Sequence, residues 1–195
     1  MITPMGTAQK KTVAVIGLGY VGLPLAVRAV ERGYDVIGFD THAEKVEVLK
    51  KKKSPIEDQY LIDNIPKFPF EATTDASRLA DADIVLICVP TPVDEMYYPD
   101  LEPVISAATV SAEHLKKGAL VVLESTVNPG VSEEVIRPIF EEHGHKLGKD
   151  VFIAHCPERI NPGDEKWNVT NIPRVVGAFD QKGLKMALEF YRAIV

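Results

Sequence analysis

Four short segments hold most of the residues able to do chemistry. Gly17-Leu18-Gly19-Tyr20-Val21-Gly22 is a G-x-G-x-x-G loop. It follows the apolar run Val13-Ala14-Val15-Ile16 and opens a helical pattern, the setting in which such a loop cradles phosphates. Gly17 permits the tight turn. Gly19 admits a pyrophosphate that any Cβ would strike, and Gly22 lets a helix pack closely on a sheet. Tyr20 and Val21 supply the backbone between them. Asp40 ends the next apolar run, about 20 residues past the loop, where a carboxylate accepts hydrogen bonds from ribose hydroxyls and repels a 2′-phosphate. NAD is therefore favoured over NADP as the dinucleotide. Lys45, about one helical turn further on, can reach the same nucleoside and softens that preference.

The other candidates follow later strand patterns. Thr126, in Glu124-Ser125-Thr126-Val127-Asn128-Pro129-Gly130, can hold a water or polarise an oxygen; it can equally be a helix cap or a turn threonine. Glu158, in Pro157-Glu158-Arg159-Ile160-Asn161-Pro162-Gly163, suits general-base work or a surface ion pair. Both lie just past strand-like runs, at the carboxyl ends where open α/β sheets bind ligands. Arg159 offers forked donors to a sugar or phosphate, and Asn161 can bind hydroxyls; both can also be loop structure. Tyr97 and Tyr98 can stack on a ring or simply pack their loop. Cys88 lies inside an apolar run and reads as a small buried hydrophobe. The histidines are scattered, so no metal site is expected.

These residues need a frame. Thr12–Ile16, Asp35–Phe39, Ile84–Val89, Ala119–Glu124 and Val151–His155 read as strands, with Arg174–Ala178 as a sixth. They are nearly continuous in apolar residues, as parallel strands buried on both faces must be. Val21–Arg32, Ala43–Lys52, Leu101–Lys117 and Val131–His143 read as helices, and a last one starts near Gln181. Alternation of this kind specifies an α/β fold: a doubly wound parallel sheet, the Rossmann-type dinucleotide-binding domain. Gly33, Gly118 and Gly144 stand where helices should stop, and Asp100 stands where one should start. Residues 54–70 read as an irregular excursion. Lys50–Lys53 reads as a solvated helix end rather than a binding patch.

Composition narrows the class. The 195 residues are 46% hydrophobic and 26% charged, which fits one globular domain and excludes disordered and collagen-like chains. The net charge of −6 argues against a nucleic-acid module. No apolar run approaches the ~20 residues of a membrane span. Two cysteines make no disulfide framework, and no signal-peptide pattern opens the chain, so a reducing cytoplasm is expected. Residues 1–11 read as a loose arm before a domain at 12–195. The apolar end of the last helix suggests a domain cut from something longer.

From Thr12 onward the chain resembles the N-terminal domain of the UDP-glucose/GDP-mannose dehydrogenase family, nearest the branch acting on UDP-N-acetylhexosamines. The glycine loop with Asp40, Cys88-Val89-Pro90-Thr91-Pro92, the Glu124–Gly130 segment and the Pro157–Gly163 segment carry the resemblance, in that order. It implies a double oxidation of a sugar C6 alcohol to a carboxylate with two NAD+, through a cysteine thioester. It implies that Val89, Pro90 and Thr91, with Ser125 and Thr126, line the cofactor. Thr126 and Glu158 would flank the reacting carbon, with Glu158, Arg159 and Asn161 toward the sugar. Pro162 stands where the UDP-glucose branch has a second glutamate. The family's thiol lies in a later segment, so Cys156 is declined as nucleophile and this chain alone is expected to bind NAD without turnover. The resemblance also implies a UDP-sugar partner and a homodimer formed through the following region, leaving this part monomeric. Two other readings stand beside it. One is a two-domain dehydrogenase of hydroxyacid or 6-phosphogluconate type, which the Ser-Thr-Val-Asn-Pro-Gly and Pro-Glu-Arg segments oppose. The other is a stand-alone NAD-binding or sensor module without catalysis.

Overall fold

The computed structural model describes residues 10–159 and 169–195. Seven strands form one sheet: β1 (Thr12–Ile16), β2 (Asp35–Phe39), β3 (Glu71–Thr73), β4 (Ile84–Ile87), β5 (Ala119–Leu123), β6 (Val151–His155) and β7 (Gly177–Ala178). Their order is β3-β2-β1-β4-β5-β6-β7, and every pair is parallel except β6 with β7. The chain starts in the middle, winds outward to β3, returns to β4 and winds the other way. This is the doubly wound order that the alternating pattern predicts.

Strand side chains alternate between two apolar layers. Val13 and Val15 of β1 pack into one layer with α1 (Gly22–Glu31) and α6 (Gln181–Ile194). Ala14 and Ile16 pack into the other with α4 (Glu102–His114) and α5 (Arg137–Glu142). β5 divides the same way, with Leu120 and Val122 on one face and Val121 and Leu123 on the other. A strand covered on both faces has no polar side to show, hence the unbroken apolar runs.

Several expectations need correction. The strand expected over Arg174–Ala178 is only Gly177–Ala178, and it runs antiparallel. Residues 54–70 are not irregular throughout, because they contain α3 (Gln59–Asn64), whose N-terminus Asp58 caps by accepting the Leu61 N–H. Here α3 seats Leu61 and Ile65 in the α1 layer, which an unperiodic prolyl segment does not advertise. β3 was missed, because three residues carry no period. The helix expected over Val131–His143 opens with wide turns across Ser132–Ile136 before tightening into α5. Pro138 lacks an N–H and its ring collides with the turn before it, which accounts for the widening. α2 (Ala43–Lys50) stops at Lys50, and Lys52 takes a left-handed φ of 57°. Gly33 and Gly144 close their helices with positive φ, and Asp100 accepts the Glu102 N–H at 2.9 Å. Gly118 also has positive φ but lies in the turn beyond α4, which stops at His114 rather than Lys117 because Leu115 turns extended.

The last helix is locked onto the first. Arg28 Nε and Arg32 Nε each donate at 2.6 Å to carbonyls at the end of α6, those of Ile194 and Ala193. They satisfy helix-end acceptors that have no partner within the helix. Phe190 packs edge-on against Tyr34 and Tyr191 in the core beneath. Phe190→Ala is expected to cost about 3–5 kcal/mol, the range for emptying a buried aromatic site, read as a lowered urea midpoint.

Candidate functional site

The carboxyl ends of β1, β2 and β4 open into a cavity of about 600 Å³. Gly17, Gly19, Tyr20, Val21, Asp40, Lys45, Val89 and Pro90 line it, so most of the expected cofactor residues meet here. Gly17 adopts φ +89°, and a Cβ there would lie 2.8 Å from the Cys88 carbonyl oxygen. Gly22 stands behind the loop rather than in the cavity. A Cβ on it would fall 2.0 Å from the Gly17 carbonyl oxygen and 3.0 Å from Cys88 Cβ. Gly19 is different: nothing lies within 4 Å of where its Cβ would be, and that space belongs to the cavity. The start of α1 has no side-chain cap and no acidic residue in its first turn. Its free N–H groups and positive dipole end thus remain available to an anion. Bare donors, an open space over Gly19 and a carboxylate beyond fit the diphosphate and ribose of a dinucleotide.

Asp40 is tied into this frame, only 5% exposed. Its Oδ2 accepts the Leu18 N–H at 2.9 Å and Lys45 Nζ at 2.6 Å, and its Oδ1 accepts the His42 N–H at 2.9 Å. Burial alone would raise its pKa, but hydrogen bonds from Lys45, His42 and Leu18 overcome this and hold it below the usual carboxylate range. Asp40 thus stays ionised and pins the glycine loop from beneath. The cavity wall also includes His42 and Ser106, which no sequence signal singled out.

A second set of groups stands along the sheet. Ser125 Oγ donates to the Val89 carbonyl at 2.6 Å, and Thr91 Oγ1 to the Thr126 carbonyl at 2.8 Å. The Glu124 N–H donates to the Ile87 carbonyl, and the Glu158 N–H to the Glu124 carbonyl. The ends of β4, β5 and β6 are thereby stitched side by side. Thr91, Ser125 and Thr126 do not line the cavity itself; they join its β4 wall to the next strand. Thr126 is exposed. The Glu158 side chain is 7% exposed, with Oε2 accepting Arg174 Nη1 at 2.9 Å and Oε1 accepting the Arg159 N–H at 2.6 Å. Arg159 Nη1 turns to the Pro173 carbonyl at 3.2 Å. Asn161 lies outside the described residues. Among the described residues, no group of three or more histidine, cysteine or acidic side chains could hold a metal ion.

Sequence reasoning missed the most buried acid among the described residues. Glu124 is fully buried at the end of β5, paired with Arg174 Nη1 at 3.1 Å and accepting from the Tyr191 hydroxyl. Burial pushes its carboxyl up to about 7 against the pull of Arg174. A glutamate ending an otherwise apolar strand was the available signal. Neither cysteine suits nucleophilic work as it stands. Burial raises Cys88 well above its ordinary range and pushes Cys156 up to about 12.

Residues 11–195 match the NAD binding domain of the UDP-glucose/GDP-mannose dehydrogenase family. The chain is 37% identical over 186 residues to the UDP-N-acetyl-D-glucosamine 6-dehydrogenase of Pseudomonas aeruginosa, covering 94% of this chain and 43% of that protein. It is 36% identical over 188 residues to the protein CapL of Staphylococcus aureus, covering 96% and 44%. The structure of a UDP-D-ManNAc dehydrogenase from Pyrococcus horikoshii superposes with a TM-score of 0.89 at 31% identity, covering 94% of this chain and 45% of that one. The chain thus spans less than half the length of these relatives.

Two outcomes follow from the geometry. Gly22→Ala should cost about 1–3 kcal/mol of stability through overpacking, and should weaken NADH binding, read by fluorescence titration, at least tenfold. Glu124 ties stability to pH. The native carboxyl keeps its proton up to about pH 7, whereas the unfolded chain releases it near about 4.3. Between those values the native state binds more protons, so stability falls as pH rises through the window and levels off above it. The melting temperature of the wild type, taken relative to Glu124→Gln, should therefore fall over that range. A flat difference would mean that Glu124 is already ionised.

Proposed function

Because the chain belongs to the UDP-glucose/GDP-mannose dehydrogenase family, as its NAD-binding domain, we propose that it serves a nucleotide-sugar 6-dehydrogenase. The reaction is oxidation of the C6 alcohol of a UDP-N-acetylhexosamine to a carboxylate with two NAD+. The observation that carries this reading is the placement of two functional sets along one sheet edge. The glycine loop and Asp40 form the cofactor cavity at β1 and β2, and Thr126 and Glu158 follow at the ends of β5 and β6. Bound NAD+ would supply the hydride acceptor.

The chain's own residues then divide the work. Gly17, Gly19, Tyr20 and Val21 give backbone donors to the diphosphate, and Gly22 lets α1 come close enough to aim them. Asp40 accepts from the adenosine ribose, with Lys45 exchanging from Asp40 toward the nucleoside. Val89, Pro90 and Thr91 form the wall toward the nicotinamide, held by Ser125. Thr126 orients a water or the sugar oxygen, and Glu158 receives its proton. Arg159 and Asn161 are assigned to the sugar nucleotide by the resemblance alone; Arg159 would have to leave the Pro173 carbonyl to reach it. The thiol of the second oxidation comes from outside residues 1–195, since both cysteines here are buried and protonated. Two free cysteines without a disulfide support a reducing, cytoplasmic setting. A homodimer built through the region beyond this domain belongs to the same proposal and rests on the resemblance alone.

The 195-residue chain is expected to bind NADH, with Asp40→Asn weakening it at least ~10-fold through loss of a charge-assisted hydrogen bond. The same chain with NAD+ and UDP-N-acetylhexosamines should give no steady NADH formation; steady turnover would overturn the placing of the thiol elsewhere. In a chain extended by its natural coding sequence, Thr126→Ala should slow turnover by at least ~10²-fold while NADH affinity holds. An extended chain that binds NADH and turns over no sugar nucleotide would favour the sensor reading.

A further inference from the structure

Glu158 does not stand alone at the end of β6. Arg174 Nη1 lies 2.9 Å from Glu158 Oε2 and 3.1 Å from Glu124 Oε2, so one nitrogen bridges two carboxylates. The side chains of Arg174, Glu124 and Glu158 are 3%, 0% and 7% exposed. Tyr191 of α6 donates to the other Glu124 oxygen, and its ring centroid lies 5.9 Å from the guanidinium carbon. The main chain repeats the link, because the Glu158 N–H donates to the Glu124 carbonyl at 3.0 Å. Glu158 is thus tethered to Glu124 twice, once through backbone and once through Arg174.

We propose that Arg174 is a positioning residue that bridges Glu158 to Glu124 and Tyr191 and so keeps the Glu158 carboxylate in one orientation beside the end of β5. This rests on the reading that places Glu158 at the substrate. Three features support it. The bridge and Tyr191 draw on four separate parts of the chain (the end of β5, the loop after β6, the segment before β7, and α6), so its geometry follows from how these pack together rather than from any one loop. The guanidinium is poorly suited to a purely stabilising role. Its Nε and Nη2 are buried with no hydrogen-bond partner among the described residues. Buried ion pairs contribute little net stability, and in some proteins they hold groups in register instead. Charge balance favours Glu158 as well. Two carboxylates face one guanidinium, and Glu124, deepest of the three, is the carboxyl that burial inclines to keep its proton. When it does, the full charge of Arg174 serves Glu158. The backbone N–H of Arg159, at 2.6 Å from Oε1, fixes the second oxygen.

The test is side-chain 13C relaxation on the 195-residue chain carrying labelled glutamate, with Glu158 assigned through Glu158→Gln. In the wild type, the Glu158 side-chain order parameter should stand well above that of exposed Glu189. In Arg174→Met it should fall clearly toward the Glu189 value, with the Arg159 N–H still holding Oε1, and Arg174→Lys should restore most of it. If the methionine variant does not fold, Arg174→Gln, which keeps a polar head, takes its place and should show the same fall. A wild-type Glu158 as mobile as Glu189 overturns the proposal without any variant. So does a Glu158 that stays rigid once the positive charge is gone. NADH affinity, read on the same samples, separates the two readings: NADH bound with Glu158 mobile removes only the positioning role, whereas no NADH binding removes the cofactor reading beneath it.

Discussion

The approach of α1 to the ends of β1 and β4 is the constraint on which the site depends. Where Gly22 sits there is no room for a methyl group, since it would fall 2.0 Å from the Gly17 carbonyl oxygen. This contact draws the first helix under the glycine loop and aims its uncapped N-terminus at the cavity. Gly17 meets the Cys88 carbonyl from the other side, so the loop is wedged between its own helix and the neighbouring strand. Asp40 completes the frame by holding the Leu18 N–H while keeping its charge. Loosening any of these contacts would misdirect donors whose strength depends on aim.

The second constraint is electrostatic. Past the cofactor cavity the sheet edge carries two acidic side chains and one guanidinium, nearly all removed from water. Such a cluster is costly to build, and two of the three guanidinium nitrogens of Arg174 are buried in it without a hydrogen-bond partner among the described residues. Its members come from β5, the β6 loop, the segment before β7, and α6. Tyr191 makes the last helix part of the site's support, and Arg28 of α1 and Arg32 just past its end hold the end of that same helix. The cofactor half and the Glu158 half therefore share a scaffold through the α1–α6 pair.

A doubly wound sheet serves many chemistries, and its loops decide which one. Here the family assignment rests on the match across residues 11–195 together with relatives above 30% identity. The segments at the ends of β4, β5 and β6 are joined to one another by side-chain and backbone hydrogen bonds.

The sequence by itself determined the alternation of the longer strands and helices, the glycine loop and the place of Asp40 at the end of β2. These are local matters: apolar periodicity, glycine where φ turns positive, and a fixed count from loop to Asp40. It located Thr126 and Glu158 at strand ends for the same reason. Only the tertiary structure decided what stands beside them. Arg174 reads as the first residue of an edge strand, yet it turns inward and bridges residues 50 and 16 positions away. Glu124 reads as the polar end of an apolar run, yet it is the most deeply buried acid among the described residues. β3 and α3 were invisible because short segments lack a period and owe their form to the layer they pack against. Contacts between distant parts of the chain leave no spacing to read, because they are set by which faces the sheet and helices bring together.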